Sequence, residues 1–565
     1  MACDCGCTGA TRGAGASNAP KGSYYITTPI YYVNAAPHLG TAYSTVVCDT
    51  QARFRRMDGY DVHFLTGLDE HGQKVADSAA AHDMTPQQWC DFMTPPFEEL
   101  WRQLEVTNDD FIRTTQPRHE RAVQHFWEVL KEKGYIYKGS YEGWYCVPDE
   151  TYFTETDVRH ANEGTDADPE HPLCPDCHRP LERISEESWF FKLSAFQQPL
   201  LDFYAAHPDF IQPETRRNEV ISFVEGGLKD LSVTRTTFDW GIPLPFDEKH
   251  VTYVWFDALI NYLTAVGYGD ESKAEEFAYR WPAQQHVVGK DIIRFHCVIW
   301  PAMLMAAGLP VTGHVLAHGF LLVRGADGKA EKMSKSRGNS IYPQQVIDLM
   351  GVEGYRYYFM TDVAHGQDGA ISFDRMAQVY NADLANSWGN LVSRTLNMAI
   401  KYFDGKAPAR AEGYAQRQSS LSQAAEGIYE RYAAAMEAFD YQSAAKAVME
   451  LAAVANHYIE DMAPWALAKA AVDDADKADE LQFVMWGLCE AIRIIATLLW
   501  PMTPATSAEV MRRMGLPCEP THELLAACAW GQFAGGEAVE KGDPLFPRLD
   551  MSKLPGADGA ASAQA

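Results

Sequence analysis

A chain of 565 residues with 47% apolar content is too long for one hydrophobic core, so three or four structural units are expected. Its formal charge of −28 fits an acidic enzyme, but net charge governs solubility rather than local patches and does not exclude a basic groove for nucleic acid. The 12 scattered cysteines are too sparse for a disulfide scaffold and suit a reducing, cytoplasmic setting.

Residues 1–22 are small and polar, with Cys3, Cys5 and Cys7 among them, and read as a disordered tail without the apolar stretch of a signal peptide. The β-branched and aromatic run Tyr24–Tyr32 reads as a buried strand. Asn34-Ala-Ala-Pro37 breaks it, and His38-Leu39-Gly40-Thr41 opens a helix reaching about Met57. Asp61–Leu65 is the next strand, which completes a βαβ unit whose turn faces the carboxyl ends of a parallel sheet, where nucleotides bind. Gly40 lets a nucleotide approach the backbone closely, and His38 can donate to phosphate oxygens. Asp69 ends the run Leu65-Thr-Gly-Leu-Asp69, and amphipathic helices follow to about residue 135.

An insertion over residues 138–245 contains Cys146-Val-Pro-Asp149 and Cys174-Pro-Asp-Cys177. Two such clusters read as a zinc knuckle needing four ligands, with Cys146, Asp149, Cys174 and Cys177 as the set and His171 and His178 in reserve. A closed four-ligand shell is structural, since it leaves no position for substrate. Arg235 lies where the insertion returns to the main sheet, and either supports the catalytic face or makes a surface ion pair.

His250–Phe256 reads as a strand and Asp257–Tyr262 as the start of a helix. His286–Asp291 ends another strand, where Gly289 permits close approach and Asp291 can accept from ribose hydroxyls. A helix over Ile292–Leu304 and a strand over His314–Leu322 lead into Lys332-Met-Ser-Lys335-Ser336, a glycine-flanked basic loop suited to gripping a polyphosphate. From about Met376 to residue 515 the chain reads as an all-α bundle. Its most apolar run, 491–502, carries Arg493 and Pro501 and falls short of the about 20 residues that span a bilayer, so no membrane partner is expected.

Pro37-His38-Leu39-Gly40-Thr41 followed by the Lys332–Ser336 loop resembles the signature pair of class I aminoacyl-tRNA synthetases, over residues 23 to 550. Threonine stands at position 41, where that family usually has a second histidine. The resemblance is to the methionyl members, and it implies an α/β fold: a Rossmann-type parallel-sheet catalytic domain (23–137 and 246–325) split by the zinc-knuckle insertion (138–245). A connector carrying the lysine loop (326–375), a helix-bundle anticodon-binding domain (376–550) and a second tail (551–565) complete it. It implies that His38, Lys332 and Lys335 are catalytic, and that His38, Gly40, Thr41, Gly289, Asp291 and Lys335 bind ATP. Asp69 would hold the substrate ammonium, and Tyr32, Trp255, Ala258, Leu259, Tyr262, Phe295 and His296 would form the methionine pocket. Asn390, Arg394, Pro464 and Trp465 would read the anticodon of tRNA(Met), initiator included, with Trp465 as a stacking face. ATP, Mg²⁺ and a structural Zn²⁺ are the implied small-molecule partners. The insertion, around 100 residues, is shorter than the editing domains of the leucine, isoleucine and valine enzymes. Leu545-Phe-Pro-Arg548 resembles the end of the family's common core, so a monomer without a further tRNA-binding domain is expected. The rival readings are a cysteinyl enzyme and a non-catalytic zinc-knuckle RNA-binding protein.

Overall fold

The computed structural model describes residues 20–147, 151–153, 155–164, 172–324, 329–333, 339–364 and 366–554. Its centre is a parallel sheet of seven strands. They are β1 (Ser23–Thr27), β2 (Tyr31–Tyr32), β3 (Asp61–Asp69), β4 (Asp110–Arg113), β5 (Ile211–Gln212), β6 (Gln285–Gly289) and β7 (His314–His318). The order is β2-β3-β1-β6-β7-β5, with β4 also on β3, and each pairing is parallel. The chain winds outward from β1 in one direction first and then, from β6, in the other. Between β1 and β6 the order reverses, and a crevice opens at the carboxyl ends of the two strands, which is where doubly wound sheets bind ligands.

The expected single strand Tyr24–Tyr32 is two, broken at Thr28–Ile30 around Pro29, which has no N–H to give a ladder. The expected strand His314–Leu322 is also two, because Gly319 separates β7 from Leu321–Arg324. The second piece belongs to a separate small sheet, pairing with Ala330–Lys332 and Gly369–Ile371. The strand expected at His250–Phe256 stops at Thr252, and a helix begins at Val254.

The insertion is built on an antiparallel hairpin, Ile136–Cys146 with Glu182–Phe191, and the knuckle hangs from its far end over a small core of its own, including Trp144, Phe153 and Leu181. The helical part runs from Phe373 to Arg513. Its axis is Ala475–Leu499, longer than the expected apolar run and long and apolar enough to cross a membrane, yet 94% of its apolar window is buried inside the bundle. Burial by neighbouring helices accounts for its composition.

The helix Leu39–Met57 is buried on nearly every side because the sheet covers one face and the bundle the other. Bundle residues reach it with side chains: the Tyr441 hydroxyl donates to Gln51 at 3.1 Å, and that of Tyr429 to Asp58 at 2.8 Å. Arg356, on the helix Pro343–Thr361, is fully buried (0%) and donates to Asp49 of this helix at 2.6 Å. The same guanidinium reaches the carbonyls of Leu104, Pro501 and Met502 at 3.0, 3.0 and 3.3 Å. One cation thereby joins the parallel-sheet part, the helix Pro343–Thr361 and the bundle, and the three share one continuous apolar core.

Candidate active site

Helix Leu39–Met57 starts at the crevice. His38 is its N-cap: its Nδ1 accepts from the Thr41 amide at 3.2 Å, and Thr41 Oγ1 accepts from the His38 amide at 3.4 Å. This reciprocal cap satisfies two otherwise orphaned N–H groups. It also assigns the imidazole tautomer, since an accepting Nδ1 leaves the proton of the neutral ring on Nε2. The hydroxyl of Thr41 is therefore engaged in capping, a use the motif alone did not reveal. Gly40 has a second reason to be glycine, because a Cβ there would lie 3.1–3.2 Å from the His38 ring.

Across the crevice, Gly289 ends β6, and a Cβ there would sit 2.4 Å from the Asp291 carboxylate. The glycine lets that carboxylate fold over the strand end. His318 ends β7 and was not anticipated. Its Nδ1 donates to the Gly319 carbonyl at 3.0 Å, so its Nε2 accepts from Ser44 at 2.7 Å, and burial lowers its pKa.

A cavity of about 330 Å³ joins these elements. Its walls include His38, Gly40, Thr41, Gly289 and Asp291 together with Tyr32, Asp69, Trp255, Ala258, Leu259, Tyr262 and His296. Its size lies at the lower end of the range for small-molecule sites, about 300–1,000 Å³. Asp69 is buried at the end of β3, in register with Tyr32. Lys74 sits 5.0 Å over the Tyr32 ring and also lines the cavity. Trp255, Ala258, Leu259 and Tyr262 follow i, i+3, i+4, i+7 spacing along a helical segment, which aims them at one face. Phe295 stacks on Trp255 with centroids 3.8 Å apart, and it lies in a π-helical turn, Phe295–Ile299, of the kind often found at functional sites.

His296 follows in the same turn. Its Nδ1 donates to the Ile292 carbonyl at 3.1 Å, so its Nε2 accepts the Tyr262 hydroxyl proton at 2.8 Å. Burial lowers its pKa from 6.5 to about 4. A histidine held neutral in the fold costs stability once the unfolded chain takes up a proton. Stability from this site is complete above pH 6.5 and falls as the pH drops from 6.5 toward 4. His296→Gln is expected to flatten that part of the urea-midpoint-against-pH curve.

Lys332 is exposed at the end of the small sheet, 5.0 Å over the Phe320 ring, and Phe320 lines the cavity. Lys335, and with it Ser334 and Ser336, lies outside the described residues. Arg235 is 2% exposed and sits 4.3 and 5.4 Å over the rings of Tyr145 and Tyr253, so it belongs to the interior rather than the surface.

In the knuckle, the Cys146, Cys174 and Cys177 sulfurs all lie within 4.8 Å of one another. Cys174 Sγ accepts from the amides of Asp176 and Cys177 at 3.3 and 3.5 Å. Sulfurs of a tetrahedral zinc–thiolate site stand about 3.8 Å apart for Zn–S bonds of about 2.3 Å, so three thiols so placed fit such an ion. Asp149 and His171 lie outside the described residues, and His178 is exposed and not part of the cluster. None of the three cysteines lines the cavity.

On the bundle, Asn390 is exposed and Arg394 donates to Glu460 at 2.6 Å. Pro464 is buried, but Trp465 is 46% exposed, so it does not pack the bundle interior. Ala463, left-handed at φ 42°, closes the helix Tyr441–Met462 and starts Pro464–Ala470, which touches the helix carrying Arg394.

Residues 24–396 match the model of the family described as tRNA synthetases class I (M). With the switch-point cavity, that match makes the chain a class I tRNA synthetase. Residues 408–554 match the anticodon binding domain of methionyl tRNA ligase. Methionine–tRNA ligases of Streptomyces coelicolor and Caldanaerobacter subterraneus are 45% and 44% identical to it, each over 94% of this chain and over 97% and 80% of their own lengths. The structure of Mycobacterium tuberculosis methionyl-tRNA synthetase in complex with methionyl-adenylate is similar at TM-score 0.85 and 40% identity, covering 93% of this chain and 100% of that one. The chain belongs to the methionine–tRNA ligase family.

Proposed function

We propose that this chain activates methionine with ATP, releasing pyrophosphate, and transfers the methionyl group to the terminal adenosine of tRNA(Met), initiator tRNA included. The observation that supports this most is one cavity lined by His38, Gly289 and Asp291 and also by Asp69, Trp255 and Tyr262. The substrate carboxylate attacks the α-phosphate of ATP, and no side-chain nucleophile is required. The protein supplies position and charge. Asp69 takes the ammonium, Asp291 the ribose hydroxyls, and His38 Nε2–H donates to phosphate as charge builds there. Lys332 and Lys335 neutralise the departing pyrophosphate, where Mg²⁺ accompanying ATP would supply further charge neutralisation. In the second step a ribose hydroxyl of the terminal adenosine attacks the methionyl carbonyl and AMP leaves. Thr41 caps the helix beneath the ATP, so its contribution to ATP binding is through His38.

The division into a split catalytic domain, knuckle insertion, connector and bundle serves this chemistry, with Asn390, Arg394, Pro464 and Trp465 reading the anticodon. The chain works as a soluble cytoplasmic monomer. Cys146, Cys174 and Cys177 would hold a structural Zn²⁺, and Asp149 would supply the fourth ligand. Cys174→Ser is expected to lower zinc content from about one to well below half an equivalent by metal analysis, and Asp149→Ala tests the fourth position in the same assay. A cysteinyl reading is disfavoured because those enzymes grip substrate thiolate with zinc, and the thiol cluster is apart from the cavity.

ATP–pyrophosphate exchange with each amino acid in turn tests the proposal. Methionine is expected to support exchange. Exchange with cysteine alone would transfer the reading to the rival enzyme, and exchange with none would favour a non-catalytic RNA-binding protein.

A further inference from the structure

The helix Val254–Leu259 turns Trp255, Ala258 and Leu259 toward the cavity. Asp257 stands about 200° around the helix from Trp255. Its side chain is fully buried (0%) behind that wall and does not line the cavity. A carboxylate so placed is costly unless its oxygens are satisfied. Here they are divided between two imidazoles, Oδ2 lying 2.7 Å from His71 Nδ1 and Oδ1 2.7 Å from His119 Nε2. Burial opposes the charge, and the two histidines outweigh it, holding the Asp257 carboxyl below its ordinary range.

The two imidazoles come from different elements. His71 lies two residues beyond Asp69, past the end of β3. Its loop is held on other sides as well: the Tyr32 hydroxyl donates to the His71 carbonyl at 2.9 Å, and the Trp240 indole donates to the Glu70 carbonyl at 2.6 Å. His119 belongs to the helix Pro117–Glu132, and its Nδ1 lies 3.0 Å from Thr264 Oγ1, beyond the pocket wall on the same stretch of chain. Asp257 is therefore the tie between the strand end that carries Asp69 and the helix that walls the side-chain pocket.

We infer that Asp257 is a positioning residue for amino-acid recognition, setting the separation between Asp69 and the Trp255–Ala258–Leu259 wall through His71 and His119. The inference rests on the proposed methionine activation. Asp69 takes the substrate's ammonium and the wall takes its side chain, so a fixed separation measures side-chain length. Without the tie, methionine loses its simultaneous fit at both ends, and amino acids of other lengths are penalised less in comparison. The ATP side is carried by the N-cap of the helix Leu39–Met57 and by the end of β6, with His38, Gly289 and Asp291, and does not depend on it.

The test compares full-length wild type, Asp257→Asn, His71→Asn and His119→Asn by ATP–pyrophosphate exchange with methionine, norleucine and leucine, alongside thermal melts. Asp257→Asn is expected to raise KM for methionine by about 10–100-fold, the scale of an ångström-level misplacement, with KM for ATP within about two-fold of wild type. The preference for methionine over leucine is expected to narrow. His71→Asn, which cuts the link to the Asp69 strand end, is expected to act more strongly than His119→Asn. The inference is overturned if folded Asp257→Asn keeps wild-type KM for methionine, or if both KM values rise together in step with lowered melting temperature. If Asp257→Asn is not soluble, the two histidine variants decide by the same criteria: equal shifts in both substrates' KM, or none, overturn it. Absence of methionine exchange in the wild type would instead remove the proposed function on which the inference stands.

Discussion

His38→Ala is expected to lower kcat for methionine-dependent ATP–pyrophosphate exchange by about 10²–10³-fold while leaving KM for methionine nearly unchanged, the loss typical of removing one donor aimed at developing charge. Two observations support so large an effect. The Thr41 amide occupies Nδ1 and directs the remaining ring proton outward on Nε2, so the donor is oriented before substrate arrives. Threonine at position 41 provides no second imidazole, which concentrates the task on His38 and the lysine loop. Lys335→Ala is expected to fall in the same range. Because His38 also caps the helix Leu39–Met57, His38→Ala will cost stability as well, about 1 kcal/mol for a lost N-cap. His38→Asn keeps a capping side chain, and exchange rates of the two variants beside their melting curves separate the roles. An undiminished kcat in both would remove His38 from the mechanism.

Arg356→Met is expected to be the most damaging change far from the cavity. It removes a fully buried guanidinium and leaves Asp49, also 0% exposed, with only Arg53 at 2.7 Å and the Thr107 amide and hydroxyl at 2.7 and 2.6 Å. Breaking a buried pair by removing one partner costs about 3–5 kcal/mol, which would appear as a lowered urea midpoint. The pH dependence has a definite sign. Burial raises the Asp49 carboxyl pKa, but Arg53 and Arg356 outweigh it and leave it far below its ordinary value. A carboxylate depressed in the fold contributes its stability above the unfolded value of about 3.9 and loses it as the pH falls below that. The gap between wild type and Arg356→Met should therefore be widest near neutrality and close in acid. A gap that stays constant down to pH 3 would mean that lost packing, not the ion pair, sets the cost.

Much of this site could be read from sequence because it is local in the chain. His38 to Thr41 open a helix directly after a strand, and the carboxyl end of a strand is where Asp69, Gly289 and Asp291 were expected and where they lie. Features that depend on residues far apart could not be read this way. The Ser44–His318 bond spans 274 positions, and nothing local marks His318 except that it ends a strand as Gly289 does. The boundary at Thr252 was misplaced because a short apolar run fits strand or helix equally. The spacing of Trp255, Ala258, Leu259 and Tyr262 contained the helical answer. A π-helical turn adds a residue that no 3.6-residue pattern announces, which hid how Phe295 and His296 are presented. Trp465, expected as a stacking face, is exposed, whereas the left-handed alanine at 463 just before it is a conformation alanine seldom adopts and sequence does not flag.

The placement of Leu39–Met57 between sheet and bundle has a consequence for the order of biosynthesis. The chain that covers the outer face of this helix is made hundreds of residues after it: Tyr429 and Tyr441 cover its polar groups, and the Pro501 carbonyl completes the shell around Arg356. At translation rates of about 5–20 residues per second, roughly 20–90 s separate synthesis of Asp49 from that of Pro501. For that interval the nascent parallel-sheet part has an open apolar flank and an incompletely enclosed carboxylate. The helical bundle then acts, within its own polypeptide, as a later-arriving clamp that closes the open flank of this helix.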